Sequence, residues 1–127
     1  MKKLLTIILT VLMALCLTAC AKGSVKNVYG EWEIVKIEDP SGQISQEILD
    51  AMIPALKEQG QLFTLTLGKD VSYMHSYGED YRIEMDFENG LIKDVDYGQD
   101  VKFEYKNGQI IVIEEQSGYK FYMEKVS

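Results

Sequence analysis

The chain carries a single histidine, His75, and two cysteines, Cys16 and Cys20. A zinc site needs three or four Cys, His or carboxylate ligands brought together, and a serine nucleophile needs both a base and a group to orient that base. His75 has no second imidazole to join it, and no Gly-x-Ser-x-Gly elbow occurs. Carboxylates are plentiful at Glu84, Asp86, Glu88, Asp94 and Asp96, and a pair of them is the machinery of glycoside hydrolysis. They alternate with apolar residues close to Arg82 and Lys102, however, which reads as the solvated face of a sheet. Asp94-Val95-Asp96 is only a fragment of a calcium loop, and phosphate-cradling glycine loops are absent. The expectation is a non-enzymatic protein that uses no metal and no cofactor.

A set of large aromatic side chains remains. Trp32, Tyr73, Tyr77, Tyr81, Tyr97 and Phe103, together with His75, share one strand parity and are the candidate ligand-binding residues. Tyrosine combines apolar bulk with a hydroxyl that can orient an amphiphile.

The elements that must position them follow from periodicity. From Tyr29 onward, short alternating runs are separated by glycine-bearing turns at intervals of about ten residues, the mark of an all-β meander, sandwich or barrel. The turns are Gly68-Lys69-Asp70, Gly78-Glu79-Asp80, Glu88-Asn89-Gly90, Gly98-Gln99-Asp100, Lys106-Asn107-Gly108 and Gln116-Ser117-Gly118. Three-residue turns put apolar residues opposite apolar ones throughout. They pair Leu65 with Tyr73, Tyr73 with Met85, Ile83 with Val95, Val95 with Phe103, Phe103 with Ile111 and Ile111 with Met123. On the other face they set Arg82 opposite Asp96, Asp96 opposite Lys102 and Glu114 opposite Lys120. A two-residue type I′ turn at Asn89-Gly90 would place Met85 beside Asp94, so a type I turn closed by glycine is expected there. The expected inner face also includes Phe63, Leu67, Phe87, Tyr105, Ile113 and Phe121.

One more strand, Glu31 to Glu38, precedes this seven-strand meander. Trp32 and Ile34 share a parity that Val35 and Ile37 do not, which predicts a bulge or a strand covered on both sides. A helix follows, with Ser45 as N-cap, Ile44 and Leu49 as a staple, and Ile48, Leu49, Met52, Ile53 and Leu56 as its apolar stripe. Gly60 is placed to end it, and Pro54 predicts a kink or two short helices.

At the N-terminus Lys2 and Lys3 precede an apolar run from Leu4 to Leu17, a signal-peptide pattern too short to span a bilayer. The run closes on Leu17-Thr18-Ala19-Cys20, which resembles the lipobox of bacterial lipoproteins. The resemblance implies cleavage after residue 19 and a diacylglycerol on Cys20, a two-chain anchor that holds firmly. Residues 20 to 28 then read as the lipidated cysteine and tether, and 29 to 127 as the folded domain. Cys16 leaves with the signal peptide, so no disulfide supports the fold. The whole chain has a formal charge of −7, and without Lys2 and Lys3 its basic residues fall from 13 to 11 against 20 acids, near −9. This balance excludes nucleic acid as a partner.

Gly30-Glu31-Trp32, a helical insertion and an antiparallel meander together resemble the lipocalin-like proteins of the calycin superfamily, in which a Gly-x-Trp tryptophan packs at the closed end of the barrel. The layout is similar to small lipocalin-like lipoproteins of low-GC Gram-positive bacteria. The resemblance implies a mainly β fold: an eight-stranded antiparallel up-and-down barrel, or a strongly curved sheet, with a helical insertion between strands 1 and 2. Two departures stand out. The chain stops at Ser127 just past the last strand, and the helix between the first strands is similar to the lid of fatty-acid-binding proteins, which have ten strands. The expected protein is a monomeric lipoprotein, anchored extracytoplasmically on the outer face of the cell membrane, that binds a small apolar or amphipathic ligand. The alternative is an acidic module that captures a basic envelope protein; a purely structural role in the envelope stands beside both.

Overall fold

The structure is a computed structural model of the chain, and residues 28 to 126 are described. The leader run, Cys20 and the tether up to residue 27 lie outside the described residues.

Eight strands form one closed antiparallel barrel in simple sequence order. They are β1 (Gly30–Glu38), β2 (Thr64–Leu67), β3 (Ser72–Ser76), β4 (Glu79–Asp86), β5 (Leu91–Asp94), β6 (Asp100–Lys106), β7 (Gln109–Ile113) and β8 (Lys120–Lys125), with one helix, α1 (Gln46–Glu58), between β1 and β2. The architecture is the expected one and is consistent with a lipocalin-like fold. Closure comes from β1 pairing with both β2 and β8, and the register of the β1–β8 pair slips between Ile34 and Lys36. The extra residue is Val35, which is exposed while Trp32, Ile34 and Ile37 all face the core. The predicted bulge is therefore the device that bends β1 around the barrel.

The three-residue turns are not found. Two hairpins use two-residue type I′ turns, Tyr77-Gly78 (φ 51° and 78°) and Asn107-Gly108 (φ 54° and 75°). The others use four-residue loops. Three of these share one pattern, an acid followed four residues later by glycine: Asp86 to Gly90, Asp94 to Gly98 and Glu114 to Gly118. In each the carboxylate accepts backbone N–H bonds from inside the loop, and the glycine takes a positive φ of 67°, 70° or 78°. Asn89 is not among the positive-φ residues, so the turn at Asn89-Gly90 is indeed not type I′.

A loop of two or four residues in place of three shifts each register by one. The shifts cancel in pairs. Strands β2, β4, β6 and β8 present the expected face to the core, whereas β3, β5 and β7 are inverted. Leu65 lies opposite Met74 rather than Tyr73, Met85 opposite Ile92, and Phe103 opposite Val112 rather than Ile111. Met74, Ile92, Ile110 and Val112 therefore join the core, with Val101 of β6 beside them, while Tyr73, His75 and Ile113 point outward and Ile111, on the outward parity of β7, is nonetheless buried. Val95, expected inside, is exposed in a loop. Of the expected charge pairs, Arg82 meets Asp96 at 3.9 Å, while Lys102 instead meets Glu115 at 3.1 Å and Glu114 caps its own loop.

The helix is capped as the sequence predicts. The Ser45 hydroxyl accepts from Ile48 N–H. At the far end Gly60 (φ 69°) closes a Schellman motif, with Gly60 N–H on the Lys57 carbonyl and Gln61 N–H on that of Leu56. It is one helix through Pro54 rather than two. Leu49 and Ile53 are buried against the barrel, but Ile48 and Met52 of the predicted stripe are exposed. Lys57 meets Glu33 at 2.8 Å and Gln46 Nε2 donates to the Ile37 carbonyl at 2.9 Å, tying both ends of α1 to β1.

Candidate functional site

The two ends of the barrel differ. At the end where β1 begins, Val28 is 1% exposed and plugs the interior. There Trp32 stands edge-on to Tyr105, and Phe87 packs edge-on against both Phe103 and Tyr105. Ile34, Leu65, Ile110 and Met123 fill the middle. Trp32 and Phe103 are thus inside, as expected, but they belong to the filled part of the core and line no free space in the mouth.

The opposite end, where α1 leaves β1, is covered on one side only. The helix packs on β1, and Phe63 and Phe121 meet edge-on at 5.5 Å on that side. Across the mouth, β3 to β6 line an open recess of about 550 Å³. Its walls are Met74, Tyr81, Ile83, Ile92 and Val101, with Ser76, Asp94 and Gln99 nearer the rim and Tyr77 and Tyr97 in the flanking turns. Three of the sequence candidates, Tyr77, Tyr81 and Tyr97, therefore converge here. They arrive differently from the expectation: Tyr81 comes from a strand face, whereas Tyr77 and Tyr97 are held out by their turns and are 76% and 71% exposed. Met74, Ile92, Val101 and Asp94 were hidden from sequence reasoning by the inverted parity of β3 and β5 and the extension of β6. For Ile92 and Asp94 of β5 the signal that would have found them was the acid-x-x-x-Gly pattern on both sides of that strand, Asp86 to Gly90 and Asp94 to Gly98.

The rim is electrostatically one-sided. Among the described residues that line the cavity, Asp94 is the one charged side chain. Its Oδ1 accepts from the N–H groups of Asp96 (3.0 Å) and Tyr97 (3.1 Å), so the carboxylate that caps the loop also fixes the backbone that carries Tyr97. Tyr81 and Tyr97 stand with ring centroids 6.2 Å apart at 62°. The Tyr81 hydroxyl donates to Glu79 Oε2 at 2.6 Å. That bond first, then burial, then the charges of Glu79 and the fields of Tyr97 and Asp94 hold the Tyr81 phenol above its ordinary pKa.

A second recess, about 560 Å³, lies in the wall where β4 outruns β3. Strand β3 starts at Ser72 opposite Ile83, which leaves Glu84 to Asp86 without a β3 partner. Its lining mixes Lys69, Asp70, Arg82 and Glu84 with Leu67, Val71 and Met85. The mouth is the better candidate, because its floor is made of inward side chains from four successive strands.

Tyr73 and His75 are corrected to the outer wall, where their rings stack. His75 Nδ1 lies 2.6 Å from Asp80 Oδ1 and its Nε2 lies 2.8 Å from Thr66 Oγ1. Hydroxyl, imidazole and carboxylate follow one another in the order of a nucleophile relay. The small recess beside them, about 130 Å³, is bordered by Glu31 and Glu33, whose charges oppose an oxyanion. The chain of bonds instead crosslinks β2, β3 and β4 across their outer faces.

Among the described residues no group of three or more His, Cys, Asp or Glu is placed to hold a metal ion, and no helix is long and apolar enough to cross a membrane. Comparison of the chain with protein-family models, with curated proteins and with solved structures gave no match.

Proposed function

We propose that the protein is an extracytoplasmic lipoprotein that holds a small apolar or amphipathic molecule in the mouth of its barrel, without catalysis. The observation that carries this reading is the cavity of about 550 Å³ at the half-covered end, floored by Met74, Ile83, Ile92 and Val101 and rimmed by tyrosines. Its size and its mixture of apolar walls with a few polar groups fit a small-molecule site. Anchoring rests on the lipobox-like Leu17-Thr18-Ala19-Cys20. The described chain enters the barrel at Val28, at the plugged end.

Native mass spectrometry of the protein purified from its own host tests the binding reading. A retained small molecule that is lost on Ser76→Trp, which narrows the mouth from its rim, is the expected result. An empty protein that also leaves apolar probes unbound would end the proposal. Cys20→Ser should release the chain from the membrane fraction, and its continued retention there would remove the anchor.

A further inference from the structure

The ligand-binding reading leaves the ligand's head group open, and the rim constrains it. Within the mouth the one charged lining residue is Asp94, and the Glu79 carboxylate accepts the hydroxyl of the lining residue Tyr81. No Lys, Arg or His is among the described lining residues to receive a carboxylate or sulfate. An anionic head group would have to lose its hydration next to these two carboxylates with no compensating partner, which is costly. A cation gains from both.

The aromatic groups point the same way. Tyr81 and Tyr97 stand at 62° to one another with centroids 6.2 Å apart, so their rings form two inclined walls rather than a closed stack. By donating a hydrogen bond to the Glu79 carboxylate, the Tyr81 phenol becomes more electron-rich, which strengthens the attraction of its ring face for a cation. Tyr77 is the most telling. It occupies the first position of a type I′ turn at φ 51°, where a bulky side chain is strained and Asn or Gly is favoured. The chain's other type I′ turn does use asparagine, at Asn107. A tyrosine kept in a strained conformation and 76% exposed contributes little to folding, and such strain characteristically collects where a ligand is held.

We infer that the mouth takes a cationic amphiphile, an organic ammonium whose head group lies among Tyr77, Tyr81 and Tyr97 beside Asp94 while its tail covers Met74, Ile92 and Val101. This rests on the ligand-binding reading above. Cation–π contact and the carboxylates select the head, and the apolar floor selects the tail.

The test holds the tail constant and changes the head. The full-length chain in phosphatidylcholine nanodiscs is titrated calorimetrically with hexyltrimethylammonium, hexyl sulfate and hexyl glucoside, with empty nanodiscs as reference. The ammonium should bind about tenfold or more tightly than the sulfate. Tyr77→Asn and Tyr97→Leu should each weaken the ammonium about two- to fivefold and weaken the glucoside less than the ammonium. Tyr77→Asn should at the same time make the fold more resistant to urea, which separates loss of binding from loss of structure. Equal binding of the three heads, or no response to either ring, would overturn the cationic assignment while leaving the ligand site intact. Failure of all three to bind would instead remove the ligand site itself, and the assignment with it.

Discussion

The indole nitrogen of Trp32 donates a buried hydrogen bond of 2.7 Å to the carbonyl of Val28, four residues earlier. Val28 is the last residue of the segment that reads as a tether, yet it is fully buried. The bond turns the chain inward ahead of β1 and lets Val28 stopper the barrel. The barrel interior is thereby stoppered at one end, and the recess beside Val28 lies in the wall rather than along the barrel axis.

Trp32→Phe should therefore destabilise the protein by about 3 kcal/mol. Part of this is the Val28 carbonyl left buried without a donor, about 1–3 kcal/mol; the rest is lost ring volume in a packed site. Because Trp32 is the only tryptophan, urea unfolding is followed by circular dichroism. A loss below about 1 kcal/mol would mean that the plug adapts without the bond.

The two type I′ turns make a reciprocal pair. Tyr77→Asn should stabilise by about 1 kcal/mol, since asparagine tolerates the left-handed region better than tyrosine. Asn107→Tyr should destabilise by a similar amount, because it recreates at the plugged end the strain now found at the mouth. Thermal midpoints of the two variants measured side by side check both signs.

Strand parity gives a sharper contrast. Ile92→Ala should cost about 2–5 kcal/mol, as for a fully buried isoleucine, whereas Val95→Ala, in an exposed loop, should cost less than about 1 kcal/mol. The three-residue turns expected from the sequence would put Val95 inside, so the ratio of the two losses reports the register directly.

Parity also marks how far the sequence was legible. Strand number, the bulge at Val35, the cap at Ser45 and the stop at Gly60 are local: each is written in a few adjacent residue types. Which face of a strand is buried is not local, because it depends on loop length, and in β3, β5 and β7 both faces offer plausible apolar residues. Tyr73 and Met74 compete in β3, Leu91 and Ile92 in β5, Ile111 and Ile110 in β7. For β5 the choice was made by the carboxylate-capped loops at Asp86 and Asp94, whose glycines at the fourth position demand four residues rather than three. For β3 it was made by the four-residue loop after Leu67 and the two-residue turn at Tyr77-Gly78, and for β7 by the two-residue turn at Asn107-Gly108 and the capped loop at Glu114. Tyr77, Tyr81 and Tyr97 reach the mouth nonetheless, because two of them sit in turns, where parity does not apply.

Two of those carboxylates, Asp86 and Glu114, and a third, Asp39, which caps the turn after β1, make the fold sensitive to acid. The Ser41 hydroxyl, then the Ile44 and Ser41 N–H groups, hold Asp39 below its ordinary 3.8 against the opposing effect of burial. The Asn89 side-chain amide, then its backbone N–H, does the same for Asp86. The Ser117 hydroxyl, then its N–H, lowers Glu114 from 4.5. A folded pKa below the unfolded one means that the unfolded chain binds more protons around pH 4, so stability rises with pH there. The contribution is complete above about pH 5 and is lost as pH falls through the folded values. Urea midpoints at pH 7 and pH 3 should differ less in Asp39→Asn, Asp86→Asn and Glu114→Gln than in the parent chain.

The glycines of two capped loops differ in one respect that substitution can read. Gly90 and Gly118 share a positive φ, 67° and 78°. A Cβ added at Gly118 would meet nothing within 4 Å, whereas at Gly90 it would stand 2.8 Å from the Phe103 carbonyl oxygen. That oxygen is backbone in the neighbouring strand, and Phe103 N–H is itself bonded to the Gly90 carbonyl at 2.9 Å. Gly118→Ala should therefore cost only the left-handed penalty, about 1–2 kcal/mol, while Gly90→Ala adds displacement of β6 and should exceed it by about 1 kcal/mol or more. Hydrogen exchange at the Phe103 amide should quicken in Gly90→Ala alone. Equal losses for the two variants, with Phe103 exchange unchanged, would show that β6 yields without cost and that this loop is not what fixes its position.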